Sequence, residues 1–272
     1  MTTISQEPIF ILGYPRSGTT LLQMLLSTQK EFVSFPETHF FSTFISTIKT
    51  DENNIIINKC DLSKILKKNI LCDTVWEDTI IYNTLNNLEN LNIKELFESI
   101  IKHYLKNNKQ RWIEKTPNHI YMIDLIKKFY PNAKFLFLIR HPFDAIHSRK
   151  MKLPHDKTRS VELLAQYWIN SLIAYENFKL LFPNSIMLIK YEELATNYKK
   201  SIKELEDFLD FSINDSLLQE YPNQLKTLVH PWETWKMNNK NKIKKMPTQK
   251  FSKEFCNTIE GITSHYMKKY GY

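Results

Sequence analysis

One segment constrains this chain more than any other: Phe10-Ile11-Leu12-Gly13-Tyr14-Pro15-Arg16-Ser17-Gly18-Thr19-Thr20-Leu21-Leu22. It reads as an apolar strand, a Gly-x-x-x-x-Gly loop and an amphipathic helix. Glycine is scarce in this sequence, with only 4 residues in 272, yet Gly13 and Gly18 both fall in this loop. Glycines there let the backbone approach a ligand closely. The amides of the loop and of the helix N-terminus then converge on an anion, with the helix dipole adding to the attraction. A strand that feeds directly into such a helix is the opening unit of a parallel α/β sheet.

The rest of the chain continues that pattern. Short apolar, β-branched or aromatic runs recur at Pro8-Leu12, Phe32-Phe35, Arg111-Ile113, Lys134-Ile139 and Ser185-Lys190, separated by segments with helical patterning. Phe135-Ile139 and Ile186-Ile189 are apolar on successive residues rather than alternate ones, so both sheet faces should be covered by helices. Helices are expected at Thr19-Thr28, Pro117-Tyr130, Ser160-Leu181 and Ser252-Lys269, the last ending at Gly271. The expected fold is a P-loop-like three-layer α/β fold with a central, mainly parallel five-stranded sheet flanked by helices. It forms a single domain over 1–272, with a helical insertion at 50–110 where no strand is legible.

Composition removes several classes of function. With 42% hydrophobic and 24% charged residues, the chain can bury a core and is neither disordered nor a disulfide scaffold. The uncharged stretch of 13 residues between Glu162 and Glu176 falls short of the roughly 18 that suggest a membrane span. Arg16 is the first basic residue, so no charged leader precedes an apolar run, and the cytoplasm is the expected compartment. Cys60, Cys72 and Cys256 lack metal or redox spacing and are expected as reduced thiols. The net charge of +8 favours anionic partners, but the lysines are spread in pairs such as Lys127-Lys128 and Lys268-Lys269, as on a solvated basic surface.

The loop departs from nucleotide triphosphatases at one telling place. Thr19 stands where their lysine follows the second glycine, and no apolar strand ends in an Asp suited to hold Mg²⁺. Arg16 supplies charge from inside the loop instead. A second constellation, Phe135-Leu136-Phe137-Leu138-Ile139-Arg140-His141-Pro142-Phe143-Asp144-Ala145-Ile146-His147-Ser148, puts an arginine at the carboxyl end of a strand and a serine eight residues on, in a Pro-initiated helix. That combination suits one phosphate, with charge from Arg140 and a hydroxyl from Ser148.

Together, Tyr14-Pro15-Arg16-Ser17-Gly18-Thr19-Thr20 and Arg140-x7-Ser148 resemble the sulfotransferases that use 3'-phosphoadenylyl sulfate (PAPS). Pro36-Glu37-Thr38-His39, Glu114-Lys115-Thr116-Pro117-Asn118-His119, Lys190-Tyr191-Glu192-Glu193-Leu194 and the terminal Lys269-Tyr270-Gly271-Tyr272 are similar to the branch containing tyrosylprotein sulfotransferases and many bacterial members. The resemblance touches residues 8–40, 111–152 and 185–195. It implies that Arg16, Ser17, Gly18, Thr19 and Thr20 hold the 5'-phosphosulfate, while Arg140 and Ser148 hold the 3'-phosphate. Lys152 and Tyr191 would lie near the nucleotide, Glu37 would be the general base, and Lys115 with Arg16 would stabilise the transferring sulfonate. His39 replaces the arginine that tyrosylprotein sulfotransferases carry two residues after the glutamate, and is itself a candidate base. A nucleotide-closing loop is expected within 227–245.

The expected activity is therefore in-line transfer of a sulfonate from PAPS to a hydroxyl-bearing acceptor, a small molecule, glycan, lipid or peptide, leaving adenosine 3',5'-bisphosphate. No metal, nucleic acid or membrane span is expected, and neither the acceptor nor the oligomeric state is legible. Two rivals remain at this level. A P-loop kinase of a small metabolite would demand Mg²⁺-dependent ATP binding. A basic nucleic-acid or anion-binding module would be salt-sensitive and indifferent to adenosine bisphosphate.

Overall fold

A computed structural model describes residues 7–44, 93–102, 104–105, 111–220, 223, 228 and 251–272. Its five strands are β1 (Ile9–Gly13), β2 (Phe32–Ser34), β3 (Arg111–Lys115), β4 (Lys134–Ile139) and β5 (Ile186–Lys190). They form one sheet in the order β2-β3-β1-β4-β5, and each neighbouring pair is parallel. The chain leaves β1 toward one edge, returns through β3, and then passes over β1 to β4. This reversal of direction opens a crevice at the carboxyl ends of the central strands, where open α/β sheets take their ligands.

The helices are α1 (Thr19–Leu26), α2 (Phe40–Phe44), α3 (Ile93–Ile101), α4 (Ile123–Phe129), α5 (Pro142–Lys152), α6 (Val161–Leu181), α7 (Tyr191–Thr196), α8 (Tyr198–Leu209), α9 (Asp215–Leu218) and α10 (Lys253–Tyr270). They cover both sheet faces, which explains the strands that are apolar on every residue. Phe10, Leu12, Phe135 and Phe137 point into a core shared with Trp168 and Leu172 of α6. Ile9, Ile11, Leu136 and Leu138 point the other way, against Leu22 and Leu25 of α1 and Leu205 of α8. Successive strand residues face opposite sides, so a doubly covered sheet needs apolar side chains at each. Phe10 meets Trp112 edge-on at 5.3 Å and stacks on Phe135 at 5.5 Å. Such pairs add about 0.5–1.5 kcal/mol each beyond the burial itself.

Two helix starts matter at the site, and the first differs from expectation. The helix expected over Pro117-Tyr130 is split into a 3₁₀ turn at Pro117–Met122 and α4. The tight turn, closed by the His119 amide on the Thr116 carbonyl at 3.0 Å, tucks His119 completely under the end of β3. The second, α2, starts at Phe40, leaving Glu37, Thr38 and His39 in the turn ahead of it, with His39 at φ 49°. Ser160 and Ser252 cap α6 and α10 by accepting the Leu163 and Phe255 amides, and Gly271 ends α10 in the left-handed region. Cys256 is a free thiol on α10, whereas Cys60, Cys72 and most of the expected insertion lie outside the described residues. No helix among the described residues is long and apolar enough to cross a membrane.

Candidate active site

The loop after β1 is built around its two glycines. A Cβ on Gly13 would stand 2.3 Å from the Leu138 carbonyl oxygen of β4, and one on Gly18 would stand 2.5 Å from the Tyr191 ring. Gly13 and Gly18 also adopt φ 148° and 95°, which L side chains rarely do. The Ser17 amide donates to the Tyr14 carbonyl at 3.2 Å, closing the turn, and Gly18 caps the N-terminus of α1. A helix start leaves its first amides without intrahelical acceptors, so the α1 terminus presents N–H groups at this loop. Arg16 lies between the glycines at φ 76°, a left-handed conformation that costs a bulky residue roughly 1–3 kcal/mol and must be held by its surroundings.

What holds Arg16 comes from the second constellation. Its Nε donates to Ser148 Oγ at 3.2 Å, and Arg140 Nη1 reaches the Arg16 carbonyl at 3.5 Å. Residues 124 and 132 positions apart in sequence are thereby joined across the ends of β1 and β4. The Arg140 guanidinium stacks over the Tyr191 ring at 4.5 Å, and Asp144 lies 3.7 Å from its Nη2. Burial raises the Asp144 pKa, and Arg140 and His141 offset this only in part. Behind the arginine, Trp168 donates to the Arg140 carbonyl at 3.0 Å, while Glu192 accepts the His141 amide at 2.9 Å and the Tyr272 hydroxyl at 3.0 Å. Lys152 is exposed at the end of α5, one turn beyond Ser148 and on the same helical face.

Two polar atoms here identify what the cradle lacks within the protein itself. Ser17 Oγ and Arg140 Nε are buried with no hydrogen-bond partner among the described residues. Buried donors of this kind carry a desolvation cost of about 1–3 kcal/mol unless something accepts from them. An anion at the α1 terminus would suit Ser17 Oγ and the closely approaching glycine backbone, and a second anionic group at the end of β4 would suit Arg140 Nε.

The third cluster sits on the other side of β1, at the ends of β2 and β3. Lys115, with no exposed surface, forms an ion pair and hydrogen bond with Glu37 Oε1, while His39 Nε2 lies 3.4 Å from Glu37 Oε2. Crowding by protein atoms lowers the His39 pKa below the ordinary imidazole value, and the Glu37 carboxylate opposes this only in part. The turn carrying Glu37 is tied to α1 as well: Gln23 Nε2 donates to the Phe35 carbonyl at 2.8 Å and to Ser34 Oγ at 2.9 Å. β3 pairs with β1 so that Lys115 stands beside Ile11.

Every site residue expected from the sequence falls among the described residues, and most stand at or just past the carboxyl ends of the parallel strands. Arg16, Gly18, Arg140, Ser148 and Tyr191 form one contact network, and Glu37, Lys115 and His39 form a second. Lys152 stands apart from both among the described contacts. Residues 229–245 of the expected closing loop lie outside the described residues. Three carboxylates not singled out by the sequence gain a place in the fold: Glu114, fully buried with hydrogen bonds to three side chains, and Asp144 and Glu192, which hold the strand-end loop. For Glu114 the available signal was its position directly after the apolar Trp112-Ile113 pair.

Comparison with known proteins gives a consistent answer. Residues 8–215 match the sulfotransferase family. Among curated relatives, the protein-tyrosine sulfotransferase of Drosophila melanogaster is 24% identical over 226 residues, covering 79% of this chain and 41% of the relative. The Caenorhabditis briggsae putative protein-tyrosine sulfotransferase is 23% identical over 79% of this chain and 70% of its own length. This chain thus spans less than half the length of the Drosophila relative. Among solved structures, the sulfotransferase domain from the curacin biosynthetic pathway shares the fold with a TM-score of 0.61 and 21% identity, covering 97% of this chain and 98% of that one. Mouse sulfotransferase SULT7A1, solved in complex with PAP, aligns with a TM-score of 0.56 and 14% identity over 98% of this chain and 85% of its own.

Proposed function

Because this chain belongs to the sulfotransferase family, we propose that it transfers the sulfonate group of PAPS to a hydroxyl-bearing acceptor. The single observation that carries the reading is the bond between Arg16 and Ser148, with Arg140 on the Arg16 backbone. Two motifs far apart in the chain become one cationic cradle beside the α1 N-terminus. A nucleotide with phosphates at both ends of its ribose is the ligand such a two-part cradle suits.

In this reading Arg16, the amides of Ser17–Thr20 and the hydroxyls of Ser17, Thr19 and Thr20 hold the 5'-phosphosulfate. Arg140 and Ser148 hold the 3'-phosphate, with Tyr191 bracing the guanidinium and Lys152 adding charge nearby. The donor supplies the sulfonate and a good leaving group, adenosine 3',5'-bisphosphate. Glu37 accepts the proton of the acceptor hydroxyl, a task worth typically 10²–10⁴-fold in rate. Lys115 and Arg16 offset negative charge on the transferring sulfonate and on the bridging oxygen it leaves. Glu37 is preferred to His39 as the base because its carboxylate is held directly on Lys115, on one side of the crevice. His39 then flanks the carboxylate.

Calorimetric titration with adenosine 3',5'-bisphosphate, without metal, tests the donor site against 5'-AMP and against ATP with Mg²⁺. Tight metal-free binding that needs the 3'-phosphate is expected. Binding of ATP with Mg²⁺ and indifference to the bisphosphate would replace this reading with a kinase. An acceptor screen, following bisphosphate formation from PAPS over phenols, alcohols, glycans and tyrosine peptides, then identifies the second substrate.

A further inference from the structure

Glu114 is a fully buried carboxylate that the proposed chemistry does not use. Its Oε1 accepts from Thr38 Oγ1 at 2.9 Å and from Thr116 Oγ1 at 2.6 Å, and its Oε2 lies 3.0 Å from His119 Nδ1. The Phe41 amide donates to His119 Nε2 at 3.2 Å, so Nε2 is an acceptor and Nδ1 carries the proton toward Glu114. The His39 amide donates to Thr116 Oγ1 at 3.3 Å, and the Phe40 amide to Thr38 Oγ1, also at 3.3 Å. Three of these contacts link the turn at residues 38–41 to Glu114, Thr116 and His119, two tie Glu114 to Thr116 and His119, and one closes the 38–41 turn on itself. Three hydrogen bonds satisfy the carboxylate. Burial alone would raise its pKa, but His119, Thr116 and Thr38 together bring it below the ordinary value.

The placement of this network relative to the site is informative. Glu114 and Lys115 are successive residues on β3, and they bond Thr38 and Glu37, successive residues on the facing turn. Glu37 therefore meets Lys115 as one of two adjacent rungs, and the buried rung has every partner satisfied. The other rung has its carboxylate on a turn with a left-handed residue at His39, a backbone that has no regular secondary structure to fix it. The geometry points to Glu114 as a positioning residue: acting through Thr38, Thr116 and His119, it sets the turn that places the Glu37 carboxylate on Lys115. The consequence for catalysis rests on the sulfotransfer reading above, whereas the consequence for the position of Glu37 does not.

Removing Glu114 outright would strand His119 and two hydroxyls in the core, so the test uses Thr38. Thr38→Val keeps the shape and deletes one rung, and Thr38→Ser restores the hydroxyl. Three measurements decide: crystal structures of both variants, bisphosphate affinity by calorimetry, and steady-state turnover of PAPS with the acceptor panel and with water as reference acceptor. In Thr38→Val, Glu37 should leave Lys115, kcat should fall by about tenfold or more, and KM for PAPS and bisphosphate affinity should stay within about twofold. Thr38→Ser should recover the contact and most of kcat. A Thr38→Val structure with Glu37 still on Lys115 overturns the proposal, as does a loss of bisphosphate affinity parallel to that of kcat, which would mean a general role in folding. If wild type fails to bind the bisphosphate, the sulfotransfer reading falls, while the crystal structures still decide whether the network sets Glu37.

Discussion

The two halves of the crevice differ in how their polar groups are satisfied. Around β1 and β4 the cationic half retains buried donors, Ser17 Oγ and Arg140 Nε, with no acceptor among the described residues, and it holds Arg16 in a left-handed conformation. At the carboxyl ends of β2 and β3 the charged groups of the acid–base half pair with one another: Glu37 with Lys115, and Glu114 with Thr38, Thr116 and His119. On the proposed reading, the half that grips an anion keeps donors in reserve and carries strain to aim them, and the half that moves a proton holds its carboxylate and its cation in a defined mutual geometry. The first half should therefore control affinity, and the second should control rate.

The sharpest way to break that division is Glu37→Gln. It should lower kcat by about 10²–10⁴-fold while leaving bisphosphate affinity within about threefold; a parallel loss of affinity, read by calorimetry, would erase the distinction. Next in size is Gly13→Ala, which drives a Cβ into the Leu138 carbonyl at a φ of 148°. Because the obstacle is backbone, we expect a loss of about 3 kcal/mol or more by urea unfolding, or no folded protein.

Arg140→Ala should weaken the bisphosphate by about 10–100-fold and leave 5'-AMP nearly unchanged, since charge-assisted bonds contribute about 1.5–3 kcal/mol each. Equal losses for both nucleotides would place Arg140 elsewhere than at the 3'-phosphate. A smaller effect is expected from pH. The folded pKa of Glu114 lies below its ordinary value, so the unfolded chain binds its proton more readily and the ionised network stabilises the fold. That contribution is complete above the ordinary carboxylate pKa of 4.5 and is lost as pH falls through the lower folded value. Urea midpoints of wild type and Glu114→Gln should therefore converge as pH falls through that lower folded value and separate toward neutrality. Smallest is Asp144→Asn, which removes a negative charge 3.7 Å from Arg140. It should tighten bisphosphate binding by no more than about threefold in dilute salt, and less at high ionic strength.

Much of this was legible in the chain itself. Strands apolar on every residue require helices on both faces, and Gly13 and Gly18, in a sequence that rarely uses glycine, mark a loop whose backbone must turn left-handed. Arg16, Arg140 and Ser148 stood out because their residue types and positions relative to a strand end carry chemistry by themselves. Periodicity did not show that the helix expected from Pro117 would open as a 3₁₀ turn, because what decides it is a contact, His119 on Glu114, between groups that no helical repeat relates.

The local pattern of the sequence thus determined which segments are strands, which loop can hold an anion, and which side chains carry charge to it. Tertiary structure alone decided the pairings: Arg16 with Ser148, Glu37 with Lys115, and Glu114 with three partners from two segments. The physical reason is one of range. Backbone preference and hydrophobic period act over a few residues, whereas a buried charge is tolerated only where groups from distant segments meet to satisfy it, and such a meeting exists only once the sheet has formed.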